Sequence, residues 1–168
     1  MNKVVLVNNQ DEPVGLKDYA ELTHRDIYRV SALWLTDPNN DECLLTQRKW
    51  TKHNDPGKWM AAASGTIEEG ESYEQNIVKE IEEEIGLSNL SLNKGPKEFV
   101  DHGQHRYFVQ WFTAQVDKDR VNITIQKDEV EAYSWVKQVD VVRDVANNPD
   151  KYVPSMPNAL KILGVQTL

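Results

Sequence analysis

Three glutamates, Glu80, Glu83 and Glu84, fall at positions i, i+3 and i+4, a spacing that sets side chains beside one another on a helix. Carboxylates so grouped are hard oxygen ligands of the kind Mg²⁺ and Mn²⁺ take, with waters and substrate phosphates completing the shell. They lie in the stretch GTIEEGESYEQNIVKEIEEEIGL, Gly65 to Leu87, which holds eight glutamates and one basic residue, Lys79. The 168-residue chain has 27 acidic and 19 basic residues and a formal net charge of −8, yet outside this stretch 19 acidic and 18 basic residues remain. The negative charge is therefore local. A glutamate-rich helix face is often simply solvated. Here the like charges oppose one another by ~0.2–0.5 kcal/mol per neighbouring pair, with a single lysine for relief. A divalent cation would reverse the sign of that effect, and Gly65 and Gly70 would let backbone carbonyls come close to the same ion. The pattern of an EF-hand calcium loop is absent.

The elements that must position these residues can be read from local signals. Ser72 followed by Gln75 predicts a capping box at the start of a helix, and Gly86 predicts its left-handed end. Between them Tyr73, Ile77, Ile81 and Ile85 form an apolar stripe, with Val78 expected beside it. Upstream, Val4 to Val7, a turn on Asn8–Pro13 and a second extended piece predict an N-terminal hairpin. YRVSALWLTD and CLLTQRKW predict two strands around an Asn/Asp turn, TKHNDPGKW a loop, and MAAASGTI one short strand of small residues. Downstream, EFVDHGQ, HRYFVQWFTAQV and VEAYSWV read as strands, with NITIQ either a short extended piece or a loop edge. QVDVVRDVANNP and PNALKILGV read as helices, the first starting near Gln138 or Asp140. Many strands with a central helix and C-terminal helices predict a mixed α/β domain rather than a doubly wound one.

Composition narrows the function classes. The length suits one domain, 1–168, able to bury a core, and 39% hydrophobic with 27% charged residues suits a globular chain. One cysteine, Cys43, cannot form an intramolecular disulfide and reads as a small core residue of a strand, which together point to a reducing, cytoplasmic setting. The first residues form neither a signal peptide nor a membrane span. A pI near 5.0 without a basic block argues against binding duplex nucleic acid. Oligomeric state is not readable, with a homodimer left open.

The acidic stretch resembles the Nudix box of the Nudix hydrolases, G-x5-E-x7-R-E-U-x-E-E-x-G-U, where U is aliphatic. Laid on this chain it gives Gly65, Glu71, Lys79, Glu80, Ile81, Glu83, Glu84, Gly86 and Leu87, with Lys79 in place of the arginine. The resemblance implies an α/β/α sandwich with a mixed central sheet, and Mg²⁺ or Mn²⁺ held by Glu80, Glu83, Glu84 and the Gly65 carbonyl. Glu71 would support the box, and the arginine would pair with box glutamates. Lys79 keeps the charge but not the planar fork. The implied activity is metal-dependent hydrolysis of a diphosphate linkage in a small molecule, a nucleoside diphosphate derivative or a nucleotide. The general base would be Glu83 or Glu84, or a downstream glutamate, Glu129 or Glu131.

LTHRDIYRVSALWL, LLTQRKWTKHNDPGKW and the box together resemble the subgroup related to isopentenyl-diphosphate isomerase, from about Asn8 to Val136. That frame places Arg48 and Lys52 where isomerases bind the diphosphate. The isomerase needs a cysteine before the box glycine, a histidine after it and a Glu-x-Glu pair in the strand beyond the helix. Here stand Ser64, Thr66 and, in that strand, His105, Arg106 and Tyr107. The residues of a hydrolase are present and those of an isomerase are not. Two alternatives remain at this stage: isomerase-like activity and a non-catalytic nucleotide-binding Nudix domain. His24, Arg25, His102 and His105 are expected at the surface or in hydrogen bonds. Trp50, Trp59, Trp111 and Tyr107 are potential stacking surfaces, with core packing favoured for Trp59 and Trp111.

Overall fold

The computed structural model describes residues 3–165. Among them the chain forms nine strands and three α-helices: β1 Val4–Val7, β2 Pro13–Lys17, β3 Ile27–Asp37, β4 Glu42–Arg48, β5 Trp59–Met60, β6 Ala63–Thr66, α1 Tyr73–Ile85, β7 Asn93–Asp101, β8 Arg106–Gln115, β9 Val130–Lys137, α2 Gln138–Asn147 and α3 Met156–Ile162.

Strand β3 is the spine of a mixed sheet. One edge pairs in parallel with β8 from Ile27↔Arg106 to Thr36↔Gln115, and β8 in turn carries β7 antiparallel. The other edge is shared in succession by β1 at Tyr28, β6 from Val30 to Leu33, and β4 at Thr36 and Asp37. Side chains alternate along β3. Leu33 and Leu35 join Ile77, Ile81, Ile85 and Phe112 in the core beneath α1. Ala32 and Trp34 join Cys43, Leu45, Trp111, Val141, Val145, Met156 and Leu160 beneath α2 and α3. Two cores on opposite faces of one sheet make the α/β/α sandwich, and the N-terminal hairpin is β1–β2.

Helix α1 begins as its sequence requires. The Gln75 N–H donates to Ser72 Oγ at 3.1 Å and the Ser72 N–H to Gln75 Oε1 at 2.9 Å, which completes the capping box. Gly86 ends the helix at φ 69°. The last carbonyls are met from outside, with Thr124 N–H donating to Ile85 O at 3.0 Å and Gln126 N–H to Glu84 O at 3.1 Å. That is the role of NITIQ, which forms no strand.

Some local expectations change. Val78 is 46% exposed, because the inward stripe runs through 73, 77, 81 and 85 and its second row is 76, 80 and 84. Asn76, not Val78, is the buried neighbour of Ile77. MAAASGTI is divided: β5 pairs with β4 and β6 with β3, and Ala61 and Ala62 carry the chain between them. The β3–β4 hairpin is paired only at its turn, since β4 turns away to run beside β9 from Glu42↔Lys137 to Arg48↔Val130. Strand β7 starts earlier than expected, at Asn93, with an irregularity between Lys94 and Lys97.

Candidate active site

One cavity of about 470 Å³ opens beside α1, and its wall includes Gly65, Glu80, Glu83 and Glu84. Arg48 at the end of β4 lines the same cavity, with Lys52 and Glu129 from the flanking loops. Arg48 and Glu129, 81 positions apart in sequence, thus share one space. Glu80 lies against Gly65 so closely that a Cβ on residue 65 would fall 2.1 Å from Glu80 Oε1. A side chain on residue 65 would push that carboxylate aside. Glu84 accepts the Ser64 N–H at 2.9 Å. Glu83 is exposed at the rim.

The electrostatics follow from these positions. Burial pushes the Glu80 carboxyl up to about 7, with Lys79 opposing and Glu83 and Glu71 adding to the rise. Burial likewise pushes Glu84 up to about 8 against the Ser64 hydrogen bond, and Glu80 and Glu129 add to it. Burial also works against the Glu71 carboxylate. Lys79 at 2.6 Å and the Glu68 N–H at 3.0 Å outweigh it, so Glu71 lies below the usual carboxylate range. Lys79 also stands 3.6 Å from Glu68 and 3.8 Å from Glu80, a point charge at the centre of three carboxylates.

The donor set on α1 fits a hard divalent cation: Glu80, Glu83 and Glu84 are all carboxylates on the cavity wall, and Gly65 frees the space in which Glu80 sits. Among the described residues no three His, Cys, Asp or Glu side chains already stand as a ligand shell. The Ser64 N–H orients Glu84, and the Asn76 amide orients Glu80 beside Gly65.

The downstream glutamates separate. Glu129 lines the cavity and pairs there with Lys52. Glu131 is outside the lining and pairs with Lys49 at 3.0 Å. Arg48 donates through Nε to Asn54 O at 3.0 Å, which fixes the loop after β4 to the cavity mouth. His24 and Arg25 are exposed. His102 and His105 both reach the cavity, with His105 Nδ1 3.2 Å from the Tyr28 hydroxyl and His102 Nε2 3.4 Å from that of Tyr107. Burial first, then His102, lowers the pKa of His105. Trp111 and Tyr107 line the cavity; Trp59 and Trp50 do not, and Trp50 is 64% exposed.

Sequence reading missed Tyr28, Met60, Met156 and Ala159, which form the apolar side of the cavity. Their residue types are those of any core, so nothing in the sequence distinguished them. Asn76 did carry a local signal, as a polar residue four before Glu80 and so its neighbour along the helix; that it faces inward is seen only in the fold.

A profile of the NUDIX domain matches residues 27–156, most of the chain and all of this site except part of its N-terminal and C-terminal walls. The chain belongs to the Nudix family. This Nudix chain is 32% identical over 155 residues to the prenyl-diphosphate phosphatase of Methanosarcina mazei, covering 89% of this chain and 88% of the relative. It is 27% identical over 161 residues to the isopentenyl-diphosphate Delta-isomerase of an Enterobacter species, covering 91% and 86% respectively. In fold it is similar to the crystal structure of DR0079 from Deinococcus radiodurans, with a TM-score of 0.81 at 17% identity over 95% of this chain and 97% of the other. As a Nudix hydrolase it is a pyrophosphohydrolase, an enzyme of acid anhydrides. No helix among the described residues is long and apolar enough to cross a membrane.

Proposed function

We propose that this Nudix hydrolase cleaves the diphosphate linkage of a small organic diphosphate with Mg²⁺ or Mn²⁺ held by Glu80, Glu83, Glu84 and the Gly65 carbonyl. The observation that carries the reading is the single cavity in which these groups face Arg48 and Lys52. A cation there would offset phosphate charge and acidify the attacking water. Arg48 and Lys52 receive the phosphate oxygens farther from the carboxylates, the guanidinium by its fork and the ammonium as a mobile charge. Glu83 or Glu84 accepts the proton of the attacking water, with Glu129 as the downstream base across the cavity. Glu131, tied to Lys49, has no part in this scheme. Glu71 and Lys79 support the box from behind.

Nucleoside diphosphate derivatives and nucleotides are the first substrate class. A prenyl diphosphate is the second reading, favoured by the apolar wall of Met60, Val109, Met156 and Ala159 and by the name of the Methanosarcina relative. Isomerisation is disfavoured by Ser64 and Thr66 on the cavity wall. Cys43 supplies no substitute thiol, being fully buried, with burial pushing it up to about 12. The setting proposed is the cytoplasm.

The test is release of phosphate or nucleoside monophosphate from a panel of nucleotides, nucleotide sugars and short prenyl diphosphates with Mg²⁺ or Mn²⁺. Wild type is run beside Glu83→Gln and Glu84→Gln. Turnover that requires metal and is lost with the carboxylates supports the reading. Turnover that persists with chelator, or at wild-type rate in both variants, overturns it.

A further inference from the structure

Asn76 is fully buried in the second turn of α1, at a position the box pattern leaves free. A buried amide is costly unless every group on it is met. Here its Oδ1 accepts the Ser31 hydroxyl at 2.5 Å. Its Nδ2 lies 2.9 Å from Glu71 Oε2, 3.2 Å from Thr66 O and 3.3 Å from Glu80 Oε1. Three acceptors around one end fix the amide's orientation, because the reverse would set oxygen against oxygen three times over. Ser31 is fully buried as well and stands directly across from Gly65 in the β3–β6 register.

Lys79 meets the same two carboxylates. It takes Glu71 Oε1 at 2.6 Å, while Asn76 takes Oε2 of the same carboxylate. It reaches Glu80 Oε1 at 3.8 Å, the oxygen that Asn76 meets at 3.3 Å. A guanidinium at position 79 would offer several N–H groups in a fixed plane and could span two carboxylates unaided; an ammonium is one centre. We propose that Asn76, oriented by Ser31, supplies the second prong of that donor, so that Lys79 and Asn76 together fix Glu71 and keep Glu80 beside Gly65, the side on which a divalent cation would be held. Asn76 is thus a positioning residue, acting through Glu80 and touching neither substrate nor ion. The assignment rests on the reading of the box as a metal site.

The test is a double-mutant cycle of Asn76→Ala and Lys79→Arg in the full chain, with Mn²⁺ affinity measured by the EPR signal of the free ion. Thermal unfolding without metal is measured in parallel. Asn76→Ala alone is expected to weaken Mn²⁺ binding by about 10-fold or more, the scale of losses behind metal ligands. Adding Lys79→Arg is expected to restore most of that affinity, whatever the change in metal-free stability. If Asn76→Ala does not fold, Ser31→Ala removes only the hydroxyl that orients the amide. It should lower Mn²⁺ affinity in the Lys79 protein and leave it unchanged with Lys79→Arg. Equal losses in both backgrounds, or a drop in thermal stability with unchanged Mn²⁺ affinity, would overturn the assignment. A wild-type protein that binds no Mn²⁺, or binds it equally well after Glu80→Gln, would overturn the metal-site reading itself.

Discussion

Replacing Glu80 by glutamine is expected to stabilise the metal-free protein while abolishing its response to metal. The Glu80 side chain is 14% exposed, lies against Gly65 and has Lys79 no nearer than 3.8 Å. Burial raises its carboxyl from 4.5 to about 7. A raised carboxyl means that the folded chain holds the proton more tightly than the unfolded one. Stability is then fully present below pH 4.5, falls as pH rises through that interval and levels off above about 7. Each pH unit between those two values is worth ~1.4 kcal/mol, so the ionised carboxylate costs about 3 kcal/mol at pH 8. Glutamine has the same shape, keeps an acceptor for Asn76 and carries no charge. In the presence of chelator Glu80→Gln should therefore unfold roughly 6–12 °C above wild type at pH 8, at 2–4 °C per kcal/mol for a chain of this size. The difference should close by pH 4.5. Saturating Mn²⁺ should raise wild type but not the variant, since a ligand stabilises only what it binds. Differential scanning fluorimetry across pH, with and without Mn²⁺, reads all of this. A metal-free variant less stable than wild type at pH 8 would refute the reasoning, because it would mean that the protein's own donors already satisfy the charge.

Three further outcomes follow from other contacts. Gly65→Ala places a Cβ 2.1 Å from Glu80 Oε1, so it should cut metal-dependent turnover by about 100-fold, with circular dichroism unchanged. Lys52→Ala removes the partner of Glu129 at the cavity wall and should raise KM about 10-fold or more, on the scale of one charge-assisted hydrogen bond; steady-state kinetics on the substrate found by the panel would check it. Asp11→Asn leaves Arg29 and Lys97, now 2.7 and 2.6 Å from its carboxylate, without a counter-charge, and should cost about 2 kcal/mol at pH 7 in urea unfolding. Burial opposes the Asp11 charge, but Lys97 and Arg29 outweigh it and hold its carboxyl below 3.8. Its stabilisation is thus present above pH 3.8 and is lost as pH falls through the lower folded value, so the gap between Asp11→Asn and wild type should close in acid.

What could be read from the sequence was whatever depends on neighbours in the chain. The start and end of α1 were legible because a capping box and a left-handed glycine are local devices, and Ser72, Gln75 and Gly86 are where those rules put them. The acidic wall of the candidate cavity was legible for the same reason, since Glu80, Glu83 and Glu84 follow from one helix. The division of MAAASGTI between β5 and β6 was not, because it depends on β4 diverging from β3 to pair with β9. The apolar wall was hidden more deeply. Met60, Val109 and Met156 become a wall only when β5, β8 and the start of α3 converge. Val78 misled because Asn76 and Val78 each lie one residue, about 100°, from Ile77, and only the sheet beneath decides which of the two sides is covered. The buried place it was expected to take belongs to an asparagine.

Four of the five glutamates of α1, Glu80, Glu82, Glu83 and Glu84, occupy the half of the helix nearer the negative end of the backbone dipole, and its last turn has no basic residue. Cut out as a peptide, residues 73–85 would make a poor helix: short, self-repelling and charged against its own dipole. Its order comes from the sheet beneath Ile77, Ile81 and Ile85 and from Thr124 and Gln126, which arrive from elsewhere in the chain to close its final carbonyls. The motif is compact in sequence but not self-sufficient in space. It cannot be grafted as a cassette onto another scaffold unless a sheet face and a closing loop travel with it.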